Sequence, residues 1–205
     1  MLIALIGPDG CGKTTIANLL TNEFIKRGKR VHNYEMRFGF IPTLNSIFSK
    51  LSPRVKPAKR HKEGEYNAGM KIQPASSILA TIYILWYFID YLIGWFIYFK
   101  SVRKRDVIVF ARYFQDYYFQ RRYSKAPKIL IRLIEIFIPP PKYIFTILRD
   151  PHDIHMKKPE LSIDEIKRQQ DIIHEMSKKS SNVIEIDGSV NPERSIEIII
   201  KDYIS

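Results

Sequence analysis

Cysteine is almost missing: one residue, Cys11, in a chain of 205. A lone thiol cannot build an internal disulfide framework, so a packed core must hold the fold, and a reducing compartment is expected. Acidic residues are scarce beside basic ones, 21 Asp and Glu against 33 Lys and Arg, for a formal charge of +12. That excess calls for an anionic partner, and nucleotide phosphates, nucleic acid and an acidic membrane surface all qualify. Nucleic acid fits least well, because no recognition motif accompanies the charge. His152 and His155 stand three apart without the cysteines or carboxylate cluster that a metal site needs. Internal repeats and low-complexity tracts are lacking. Met1 to Ile6 is too short for the apolar part of a secretory leader, so a cytoplasmic protein is expected.

Long apolar runs are reduced to one, "SSILATIYILWYFIDYLIGWFIYFK" at 76–100. It is long enough to span a bilayer. Against a span, Asp90 lies inside it and the strand-like "DVIVF" (106–110) follows after a few residues. A helix tied so closely to a sheet strand is expected to be a buried core helix; a position peripheral to a membrane surface stays open.

What remains is ordinary globular composition, 45% apolar and 26% charged, enough for one well-filled domain. Strand-length apolar runs at 2–6, 30–34, 107–110, 143–147 and 182–186 alternate with helix-length segments at 13–27, 76–100, 125–138 and 163–180. Such alternation predicts an α/β fold with a parallel five-stranded sheet flanked by helices. Ser162 and Glu165 are spaced as a capping box, with Leu161 and Ile166 as its hydrophobic staple. The single domain, 1–205, carries a basic, Pro- and Gly-rich insertion around 52–74, read as a solvated loop or a cover over an anionic substrate.

One motif carries chemistry. Gly7-Pro-Asp-Gly-Cys-Gly-Lys-Thr14 fits G-x-x-x-x-G-K-[ST], with a strand before it and a helix after it. Glycines let successive backbone N–H groups turn inward onto phosphate oxygens, and the helix start adds its positive dipole end. Gly7, Asp9, Gly10, Cys11, Gly12, Lys13, Thr14 and Thr15 form the expected cradle for ATP. Lys13 is read as bridging the β- and γ-phosphates, and Thr14 as holding Mg²⁺. Asp9 would be repelled by phosphate and is expected to face a second substrate. Cys11 fills a position that takes any small residue.

"GPDGCGKTT" resembles the P-loop of thymidylate kinases and their relatives, and the order of elements agrees along nearly the whole chain. In that family the third strand ends in Asp-Arg-Tyr/His; here "VIVFARYFQDYY" supplies Arg112 and Tyr113. "RDPHDIHMKKPELSIDEIKRQQ" resembles the lid, around 150–161, with Lys157 and Lys158 placed to close on phosphates. "NVIEIDGSVNPE" resembles the last strand and the turn near the adenine. The resemblance implies phosphoryl transfer from ATP, with Lys13, Arg112, Asp9 and Lys157 as catalytic candidates. Arg112 also sits at a strand's carboxyl end, where open α/β sheets bind ligands. With Arg37, Tyr113 and Asp116 it forms the candidate acceptor set, Arg121 and Arg122 ranking behind.

Two departures matter. "FQDYYFQRRYSK" (114–125) lacks the family's base-reading serine and Tyr-Gln pair, so a housekeeping thymidylate kinase is not expected. Ala111 stands where the family places aspartate. A hydroxyl acceptor benefits from a positioned base, whereas a phosphate is already largely dianionic near neutral pH. Three readings stay open: a phosphate acceptor, a base drawn from Asp9, Glu35 or Asp116, or an aspartate replaced on purpose. The expected function is an ATP-dependent kinase acting on a nucleoside monophosphate or on a sugar-type hydroxyl in surface-glycan assembly. The alternative is an ATP-binding regulator or a degenerate kinase without turnover; homodimer formation is compatible with both.

Overall fold

The computed structural model describes residues 1–44, 46–47 and 74–204. The basic insertion, Pro74 apart, lies outside the described residues. Five strands form one parallel sheet in the order β2-β3-β1-β4-β5. They are β1 (Leu2–Ile6), β2 (Val31–Tyr34), β3 (Val107–Phe110), β4 (Tyr143–Leu148) and β5 (Val183–Asp187). β1 is central and buried along its whole length, which is why its sequence is unbroken hydrocarbon.

Alternation along the strands divides the core in two. Ile3 and Leu5 join Val107, Val109, Phe145 and Ile147 under α1 (Lys13–Lys26) and α7 (Pro192–Ile199). Leu2, Ala4 and Ile6 join Ile108, Phe110 and Ile144 on the opposite face. That second face is covered by α2 (Ser77–Arg103), α3 (Asp116–Phe119) and α4 (Lys128–Glu135). α6 (Ile163–Lys179) contributes Ile166 to the first core and Ile173 to the second. The expected helix at 125–138 is shorter than read, because Pro127 sets its start.

The region read as a lid contains a helix of its own, α5 (Pro151–Lys157). Its start was written in the sequence: Asp150 Oδ1 accepts the N–H groups of His152 and Asp153 at 2.8 and 3.3 Å, with proline at the first helical position.

α2 packs on the sheet, as the run at 76–100 was expected to do, but only on one side. Ala80, Tyr83, Ile84, Tyr87 and Tyr91 enter the core, while Ile78, Ile82, Leu85, Ile89, Phe96 and Phe99 face outward. The expectation of a buried core helix is therefore corrected to a half-buried one. Its inner face braces the loop after β2. Asp90, fully buried, accepts the backbone N–H groups of Gly39, Phe40 and Ile41 at 2.9, 2.6 and 3.1 Å. The Tyr91 hydroxyl donates to the Met36 carbonyl at 2.5 Å, and the Trp86 indole to that of Pro42 at 2.9 Å. Phe38 packs against Gly94, where a Cβ would overlap its ring carbons Cδ2 and Cε2.

Helix propensity alone favours Gly94→Ala by about 1 kcal/mol. The contact with Phe38 reverses that sign: we expect a loss of about 1–3 kcal/mol in urea unfolding, relieved in part by Phe38→Leu. A stabilised Gly94→Ala protein would contradict this packing.

Candidate active site

The loop between β1 and α1 is shaped by backbone angles that side chains resist. Gly7, Gly10 and Gly12 have φ of +149°, +96° and +108°. Gly10 also lies under α5, where a Cβ would press on Lys158 Cβ at 3.1 Å and Ile154 Cγ2 at 3.4 Å. Gly12 is the N-cap of α1; it supplies no side-chain cap, and the first turn holds no acid. The first N–H groups of α1 are thus left for an anion, as a phosphate site requires. Thr14 and Thr15 are exposed on that first turn. Thr14 is the residue whose hydroxyl would hold Mg²⁺.

Lys13 is 4% exposed. Its ammonium donates to the carbonyls of Gly7 at 2.7 Å and Pro8 at 2.8 Å, and lies 3.6 Å from Asp9 Oδ1. A buried ammonium needs such acceptors, and here its own loop provides them. The same Asp9 oxygen accepts from Arg112 Nη2 at 2.5 Å. Burial opposes the Asp9 charge, but Arg112, Lys13 and Lys158 outweigh it and hold the carboxyl below its ordinary range. Asp9 therefore ties Lys13 of the cradle to Arg112 at the end of β3 through one oxygen. Burial pushes the Cys11 thiol up, so it behaves as a small core residue.

Beside the loop lies a cavity of about 240 Å³. Gly7, Asp9 and Arg112 line it, as do Gln120, Arg121 and Arg122 from the segment after α3. Three guanidinium groups around one small cavity make an anion-seeking surface. Met36, Tyr123, Leu161 and Gln169 complete the lining. Arg121 is held there by Glu165, whose carboxylate also accepts from Arg168 and Gln169. The capping box consequently forms by half. Ser162 Oγ accepts the Glu165 N–H at 3.3 Å, but the Glu165 side chain turns to the arginines instead of returning to the cap. Leu161 and Ile166 are both buried in the core under α1, as a staple should be.

Three of the expected site residues stand elsewhere than read, and a fourth, Asp116, sits beneath the site within the fields of Lys13, Arg112 and Asp9. Arg37 is taken up by the loop after β2: it donates to the Ile41 carbonyl at 2.6 Å, lies 3.8 Å from Asp90 and covers the Tyr87 ring at 5.1 Å. Tyr113 is fully buried in the core opposite α1, with its hydroxyl donating to the Pro139 carbonyl at 2.7 Å. Backbone geometry at the end of β3 sends Arg112 and Tyr113 to different sides. Lys157 is exposed, and its neighbour Lys158 is the one packed against Gly10, with its ammonium 3.3 Å from Glu160. Asp116 is fully buried behind Gln120, which donates to its Oδ2 at 2.9 Å. Gln120, Gln169 and Glu165 escaped the sequence reading as site residues. Glu165 carried a helix-start signal that masked its second role. Of the pair His152 and His155, His155 is hydrogen-bonded to the Leu161 carbonyl at 2.7 Å.

A parallel sheet in this order, with a glycine loop running from its central strand into a helix, is the P-loop α/β fold of nucleotide kinases. Among solved structures, the chain is similar to a thymidylate kinase from Ehrlichia chaffeensis, with a TM-score of 0.61 and 18% identity. That likeness covers 98% of this chain and 97% of the other. No protein-family model matches the sequence, and no curated protein is significantly similar to it. The comparison thus carries the fold, and the chemistry must be argued from the side chains.

Asp116 offers a test of the electrostatics. Burial pushes its carboxyl up to about 7, against the pull of Lys13 and Arg112, and its Oδ1 is buried with no hydrogen-bond partner among the described residues. A carboxyl raised in the folded state adds stability that is full below its ordinary value of 3.8 and is lost as pH rises through about 7. Between pH 5 and pH 8 this group should cost on the order of 2 kcal/mol. Asp116→Asn is expected to raise Tm relative to the parent by several degrees more at pH 8 than at pH 5. An equal change at both pH values would contradict the assignment.

Proposed function

We propose that this chain is an ATP-dependent phosphotransferase whose small acceptor carries a phosphate of its own, a nucleoside monophosphate or a sugar phosphate. One observation carries the reading: the uncapped glycine cradle with its buried lysine adjoins a cavity lined by Arg112, Arg121 and Arg122. The cradle suits a polyphosphate, and the arginines suit a second anion beside it. In this scheme Lys13 gives up the Gly7 and Pro8 carbonyls to meet the β- and γ-phosphates. Arg112, already charged and positioned by Asp9, holds the acceptor where the two phosphates meet in line. Mg²⁺, held at Thr14, would neutralise charge between the β- and γ-phosphates. A phosphate acceptor needs no proton removed, so alanine at 111 is compatible with it.

A second reading is favoured by one group. Of the three carboxylates that could act as base for a hydroxyl acceptor, Glu35 is exposed and Asp9 is held ionised. Asp116 lies beside Lys13 and Arg112, and burial pushes its carboxyl up to about 7, within reach of a proton-accepting role.

Release of ADP should be measured with nucleoside monophosphates, sugar phosphates and unphosphorylated sugars. Turnover is expected with a phosphate-bearing class, and Arg112→Ala should raise the acceptor KM by about tenfold or more. With such an acceptor Asp116→Asn should keep its rate near pH 7; on a hydroxyl acceptor it should lose about 10²–10⁴-fold. ATP binding with silence across every panel would overturn the phosphotransferase reading and leave an ATP-binding regulator.

A further inference from the structure

The outer face of α2 is unlike the surface of a soluble domain. From Ile78 to Phe99, about 30 Å along the axis, every exposed position is Ile, Leu or Phe. Ile78 and Phe96 are 75% and 79% exposed. The patch continues onto α4 and its end, where Ile129 and Ile136 are 67% and 73% exposed. The two parts are joined: Phe88 meets Phe137 edge-on at 6.3 Å, and the Trp95 indole donates to the Phe137 carbonyl. The whole is on the order of 1,000 Å², above the roughly 300–600 Å² of the largest patch on a typical monomer.

Charge tells what could cover it. Residues 74–105 hold a single carboxylate, Asp90, which is buried on three backbone N–H groups. Residues 121–142 hold only Glu135, which accepts from Gln115 and Tyr118. Around the apolar face stand exposed cations: Lys100, Arg103, Lys104 and Arg105 at the end of α2, and Lys128 and Arg132 along α4. Within these two segments the hydrocarbon is rimmed by cations and no carboxylate is exposed. Asp171 and Glu175 of α6 meet Lys128 and Arg132 in a separate cavity. Such a face complements an anionic lipid surface. A second copy of the chain would bring the same cations against its own, an unfavourable match.

We propose that this face docks on an anionic membrane surface, α2 lying in the plane of the interface. A span is ruled out by the inner face of the same helix, which is committed to the sheet through Tyr83, Ile84, Tyr87 and Tyr91 and to the loop after β2 through Asp90. The docking is independent of the phosphotransferase reading, and neither requires the other.

The test is flotation of the purified protein with vesicles of phosphatidylcholine alone, or with about one-third phosphatidylglycerol. At physiological salt about tenfold more protein should float with the anionic vesicles. Leu85→Glu with Phe96→Glu should abolish recovery, and Lys128→Glu with Arg132→Glu should reduce it severalfold, with circular-dichroism melts confirming that each variant is folded. Equal recovery on both vesicles, or none on either, overturns the proposal for the parent protein alone. A concentration-dependent dimer that Leu85→Glu dissociates, without lipid binding, would assign the face to a second copy.

Discussion

The ammonium of Lys13 is buried, and the loop around it is arranged to make that tolerable. A cation removed from water needs acceptors, and the carbonyls of Gly7 and Pro8 turn inward to supply them. The same loop holds positive φ at Gly7, Gly10 and Gly12. Asp9 balances the charge and, through the same oxygen, fixes Arg112 at the end of β3. Strand order, loop shape and the arginine-lined cavity thus meet at one ion. Because β1 is the middle strand, covered on both faces, the loop it launches has a rigid base.

Much of this was legible in the sequence, for local reasons. Leu2, Ala4 and Ile6 alternate with Ile3 and Leu5, and an apolar strand of that kind belongs at the centre of a parallel sheet. The glycine spacing with lysine fixed the cradle, since few other structures need that pattern. Arg37 was misread because the group that holds its loop, Asp90, lies some 50 residues further along the chain. Tyr113 was misread because one residue of backbone separates a cavity-facing side chain from a core-facing one. Lys158 meets Gly10 where Lys157 does not because it is the C-cap residue that leaves α5 with a non-helical backbone. The end of that helix was not readable beneath the resemblance to a lid. Glu165 shows a different limit: two favourable hydrogen-bonding arrangements competed, and Arg121 and Arg168 won over the helix cap.

α2 shows why composition alone misleads. A helix apolar all round signals full burial or a membrane span, and this one is buried on one side only. Its inner side holds the loop after β2 by three hydrogen bonds to a single buried carboxylate, a fixture with no tolerance for sliding. Its outer side keeps the same hydrocarbon in contact with solvent. The two faces answer to separate demands, one set by the sheet and one by whatever lies beyond the molecule.

The central claim is that the N–H groups of the glycine loop and the α1 start, with Lys13, grip a nucleotide's phosphates. Calorimetry of Mg-ATP binding to the purified protein and to Lys13→Ala tests it directly. The account predicts saturable heat at one site per chain, with affinity lowered about tenfold or more in the variant. Absence of heat for the parent, or equal affinity in the two proteins, would contradict it.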